Sequence, residues 1–78
     1  METIKENIER LKGKANFFLE NAINAFIVDT SDNWYFCEIN SFDENYIYVK
    51  HFTGKKSGEY DKILWFDIIK FEEYQERV

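Results

Sequence analysis

Proline is absent from the 78 residues, and cysteine and histidine occur once each. A lone cysteine excludes an internal disulfide, so Cys37 points to a reducing, intracellular and cytoplasmic setting, as a buried inert thiol rather than a nucleophile. A single histidine, His51, excludes a histidine pair within one subunit, whether for acid–base catalysis or for holding a metal. Ser, His and Asp side chains occur in no recognisable nucleophile arrangement, so no enzyme, cofactor or metal is expected. Apolar runs are too short to span a bilayer, and no secretory leader is read, so no membrane partner is expected. Positive charge is also in short supply. Residues 1–22 balance four basic against four acidic side chains, while residues 23–78 carry six against eleven and hold the whole net charge of −5. A protein that grips phosphates through a general field is basic, so any nucleic-acid contact here must be local.

What the chain has in excess is aromatic rings: eight Phe, five Tyr and two Trp. At about 150–250 Å² each they carry on the order of 3,000 Å². One domain of this length removes only roughly 60–65% of its unfolded surface from water. Some rings are therefore expected at an interface or a binding face, although at any single position half-exposure needs no explanation.

No linker or repeat divides the sequence, so residues 1–78 read as one domain, an N-terminal helix over 1–22 followed by a β-rich unit over 23–78. Thr3-Ile4-Lys5-Glu6 has capping-box spacing, and Ile4, Ile8, Leu11, Ala15, Phe18 and Ala22 mark one helical face. Gly13 is a point where this helix can bend or divide. From Ala25 the period becomes two. Strands are predicted over 25–29, 34–39, 46–52, 60–66 and 68–71, with turn chemistry at Thr30-Ser31-Asp32-Asn33 and a glycine-bracketed loop at Thr53-Gly54-Lys55-Lys56-Ser57-Gly58. A helix and five short, closely linked strands imply a mainly β, α+β fold, a strongly bent antiparallel barrel of SH3-like form.

This layout, with Glu38-Ile39-Asn40-Ser41-Phe42-Asp43 ahead of a hydrophobic strand, resembles the Sm-like (LSm/Hfq-like) family, whose bacterial member carries a similar "IESFD" segment. The likeness covers roughly residues 15–74, and only the Ser-Phe-Asp segment is specific. It implies that Phe42 packs into the barrel and that Asp43 shapes the loop presenting base-binding side chains. Two departures stand out. The family places an aromatic or Met and then an Asn after the aspartate, whereas Asn45 and Tyr46 stand here in reverse order. The second motif of the family falls near Leu64-Trp65-Phe66-Asp67, which holds no Arg, Lys, His or Gly.

The resemblance implies a homo-oligomeric ring of six or seven copies, in which the fourth strand of one subunit pairs with the fifth of the next. Ile63, Leu64, Trp65, Phe66, Ile68, Ile69 and Phe71 are the interface candidates. It also implies single-stranded RNA as ligand, with Asp43, Asn45, Tyr46, Lys55, Lys56 and Trp65 as candidate contacts and Trp34 and Tyr48 as further stacking rings. Two other readings stay open: a monomeric SH3-like barrel with charged edges, and a non-catalytic oligomeric protein-interaction module that binds no RNA.

Overall fold

Burial decides where each element lies. The computed structural model describes residues 4–75; the Thr3 end of the expected capping box lies outside them. Helix α1 runs unbroken through Ile4–Glu20. Gly13 does not divide it, and Leu11 on one side and Ala15 and Phe18 on the other are buried in the core. Burial of an amphipathic stripe outweighs the modest helix penalty of one glycine. The helix ends in a left-handed residue, Ala22 (φ 53°), beyond which the Ile23 amide donates back to the Phe18 carbonyl at 2.9 Å. That bond satisfies a carbonyl the last turn would leave unpaired.

Five strands follow: β1 (Asn24–Asp29), β2 (Trp34–Phe42), β3 (Tyr46–His51), β4 (Tyr60–Leu64) and β5 (Ile68–Glu73). All pairings are antiparallel, in the order β4-β3-β2-β1-β5. Alternation is cleanest in β3, where Ile47, Val49 and His51 point inward. Inward residues of every strand join Leu11, Ala15 and Phe18 of the helix in one core.

The sheet has to curl. Strands β4 and β5 are at opposite borders, which in a flat sheet lie about 19 Å apart at ~4.8 Å per strand. Yet only a single 3₁₀ turn, Trp65–Asp67, joins Leu64 to Ile68. Three residues in that conformation advance about 6 Å, so the borders are drawn towards each other. Irregularities in register between Ile39 and Ser41 and between Val28 and Asp29 mark where the ribbon bends.

The first hairpin turn is built on a buried carboxylate. Asp29 is 8% exposed. Its Oδ1 accepts from the amides of Ser31 and Asn33 at 2.9 Å each, and its Oδ2 from Asn33 Nδ2 at 3.1 Å and the Tyr35 hydroxyl at 2.8 Å. Burial alone would raise the Asp29 pKa, but these bonds outweigh it and hold the carboxyl below its usual range. Burial first, and then the bond to Asp29, push the Tyr35 phenol well above its ordinary value. A lowered folded-state pKa adds stability above the unfolded carboxylate value of about 3.9, and that increment is lost as pH falls through the folded value. Asp29→Asn is therefore expected to cost about 1.5–3 kcal/mol at pH 7 and to flatten the acid limb of the stability curve. Urea unfolding at pH 7 and pH 3 checks both.

Candidate functional site

The β2–β3 bend is organised by Asp43. Its Oδ1 accepts from the Asn45 and Tyr46 amides at 2.9 and 2.8 Å, and its Oδ2 from the Tyr48 hydroxyl at 2.6 Å. The Tyr48 bond first, and then the two amides, keep the Asp43 carboxyl below its usual range; the same bond raises the Tyr48 phenol. Tyr46 is half-buried, and the Lys62 ammonium sits 4.5 Å from its ring centroid. Asn45 is exposed at the tip.

Beneath the bend lies Trp65, only 1% exposed. Its indole Nε1 donates to the Asp43 carbonyl at 2.9 Å, its amide donates to the Asn45 carbonyl at 3.1 Å, and its ring packs edge-on against Phe42. Trp65 therefore ties the β2–β3 bend to the 3₁₀ turn, and it presents no ring face for stacking a base. The segment predicted as strand through Phe66 becomes that turn because the chain must cross from one sheet border to the other within three residues.

The lysine pair occupies a different place. Lys55 and Lys56 form the short 3₁₀ helix Gly54–Lys56 within the β3–β4 loop, and both are exposed. Gly54 and Gly58 adopt φ 72° and 90°, the left-handed region that frees the loop to reverse. Pairing of Cys37 with His51 brings this loop beside the start of β2. There Lys55 and Lys56 line a cleft of about 260 Å³ together with Asn33, Trp34, Phe36 and Thr53. Trp34 is 61% exposed. An open indole and two ammonium groups at one cleft can stack a base and neutralise the adjoining phosphates.

The predicted RNA contacts thus fall into two groups at opposite ends of β3. Asp43, Asn45 and Tyr46 lie at its beginning, over the buried Trp65; Lys55 and Lys56 lie beyond its end, with Trp34. The neighbours Asn33 and Thr53 read in the sequence only as turn and loop residues, since the strand register alone places them at the cleft.

No family model, curated protein or solved structure matches this chain.

Among the described residues, no group of three or more His, Cys, Asp or Glu side chains is placed to hold a metal ion, and no helix is long and apolar enough to cross a membrane. His51 is buried against Tyr35, its Nε2 3.4 Å from Asp61 Oδ2. Cys37 is fully buried, and burial, with Asp61 and Glu38 nearby, pushes its thiol up to about 12. Since only a thiolate attacks a disulfide reagent, Cys37 is expected to stay unmodified by such a reagent at pH 8 until denaturant is added. A native-state rate matching that of the unfolded chain contradicts this placement.

Proposed function

We propose that this chain is a ring-forming Sm-like protein with an SH3-like barrel, assembling six or seven copies, that binds single-stranded RNA through the Trp34–Lys55–Lys56 cleft. The observation carrying the assembly is that β4 and β5 are the two borders of the sheet, the strands that Sm-like rings pair between subunits. Just past β4 the Trp65 amide donates to the Asn45 carbonyl, and before it the His51 amide donates to the Glu59 carbonyl. The alternate amides and carbonyls of Tyr60, Lys62 and Leu64 therefore face outward, the Lys62 amide bonded there to the Asp61 carboxylate at 2.9 Å. The outward set on β5 includes the Phe71 carbonyl, which within the subunit already accepts from the Lys14 ammonium.

Side chains at these borders sort into two kinds. Ile63, Trp65, Ile68 and Phe71 are buried in their own subunit and shape the borders from within, and Leu64 is half-buried. Phe66 and Ile69 are exposed, as is Tyr60, which the sequence reading passed over. Open borders with exposed apolar side chains are a hazard for a monomer and a resource for an assembly. Repetition of the cleft around a ring would let several weak base-and-phosphate contacts act on one strand.

The test has two arms. Native mass measurement at micromolar concentration is expected to give a closed multiple of the chain mass. Fluorescence anisotropy with short homopolymer RNAs at low salt is expected to show binding that weakens as salt rises. Replacing both lysines, Lys55→Ala with Lys56→Ala, should reduce the slope of log affinity against log salt by about 1.4, at ~0.7 per phosphate contact on single strands. A monomer, or no retention of any oligonucleotide, overturns the corresponding half of the proposal.

A further inference from the structure

A second concavity, a groove of about 810 Å³, has a different chemistry from the cleft. It is lined by the rings of Phe26, Trp34, Phe36 and Tyr74 and by the carboxylate side chains of Glu72 and Glu73. The hairpin register pairs Phe26 with Phe36, and their rings stack at 5.2 Å with 25° between planes. Trp34 stands at 85° to Phe26, and Tyr74 at 76° to Phe36, each with centroids 5.6 Å apart. Four rings in two steeply angled sets present ring faces in more than one direction.

The protein already shows what such a setting attracts. The Lys70 ammonium lies 5.5 Å from the Phe26 centroid and 3.9 Å from Glu72 Oε2, a cation between a ring and a carboxylate. Lys14 also reaches the groove, but its ammonium donates to the Phe71 carbonyl and lies over the Phe18 and Phe71 rings. Among the described residues no lysine or arginine lies over Trp34, Phe36 or Tyr74. These rings, with two carboxylates at hand, make an unfilled version of the arrangement that Lys70 occupies at the margin. Trp is the best of the side-chain rings for a cation, and a guanidinium both stacks on ring faces and forks onto carboxylates.

We infer that this groove docks an arginine side chain carried by an extended segment of a partner protein. Charge complementarity selects that occupant. Glu72 and Glu73 repel the phosphates of a nucleic acid, and a purely apolar segment would desolvate them without return. The groove and the cleft share Trp34 and Phe36, but the inference does not depend on RNA binding, because it turns on Glu72, Glu73 and Tyr74 rather than on Lys55 and Lys56.

The experiment titrates the full chain, ¹⁵N-labelled, with a five-residue peptide bearing one arginine between glycines, and with the same peptide bearing neutral citrulline. Saturable amide shifts are expected at Phe26, Phe36, Glu72 and Tyr74, with the citrulline peptide about tenfold weaker. Glu72→Gln with Glu73→Gln, both exposed side chains, should weaken the arginine peptide without lowering the melting temperature. Lys70→Gln removes the internal competitor and should tighten it. Lys55→Ala with Lys56→Ala should leave it unchanged. Equal binding of the two peptides, no response to the glutamate changes, or shifts of the Glu72 and Tyr74 amides by a short oligonucleotide in place of the arginine peptide would overturn the inference.

Discussion

Replacing Ile69 with lysine and Phe66 with aspartate is expected to convert the proposed ring to single chains of 9.5 kDa while leaving each chain folded. Both side chains are about two-thirds exposed, at 65% and 62%. Surface changes of this kind usually shift subunit stability by no more than about 0.5 kcal/mol. Within an interface the same charges would be buried, and an unpaired buried charge costs several kcal/mol. Every junction of a ring repeats the insult, so the loss multiplies with the number of subunits. Analytical ultracentrifugation of the double variant beside the parent reads the mass, and far-UV circular dichroism reads the fold. An unchanged multimeric mass means that subunits meet elsewhere. A lost fold means that these residues support the subunit itself, contrary to their exposure.

Trp65→Ala should have the largest effect on the subunit. Removing a fully buried tryptophan typically costs about 3–5 kcal/mol. A domain of this length has on the order of 4–12 kcal/mol in total, at roughly 0.05–0.15 kcal/mol per residue. The substitution also deletes the indole donor to the Asp43 carbonyl and the ring beneath Phe42. The variant is expected to be largely or wholly unfolded at 37 °C, and Trp65→Phe to be milder because it keeps an aromatic ring in place. Chemical unfolding followed by circular dichroism ranks the two. Parent-like stability of Trp65→Ala would show that the staple between bend and turn is dispensable.

The bend at Asp43 was legible because its chemistry is local. A carboxylate two and three residues ahead of the amides it accepts is written in consecutive positions, and the structure places it so. The five strands were legible for the same reason, through alternation. Ile63-Leu64-Trp65-Phe66 misled, since an apolar and aromatic string favours strand locally. Only the need to cross between sheet borders turns Trp65–Asp67 into a 3₁₀ turn. The juxtaposition of Trp34 with Lys55 and Lys56 spans some twenty residues of sequence and depends on the β2–β3 register. Phe26 facing Phe36 lay within reach of a sequence argument, because a four-residue turn after Asp29 fixes that hairpin's pairing. Asp29 itself passed unnoticed, because nothing in its neighbours announces that Tyr35 will fold back onto it.

The brevity of the Trp65–Asp67 link has a geometric corollary. It fixes the angle between the two borders of a single copy, much as the bevel on a cask stave fixes how many staves complete the hoop. A head-to-tail contact closes only when each added copy turns by a whole fraction of a circle. Three residues would then count the members, and one inserted amino acid there could trade a closed hoop for an endless spiral.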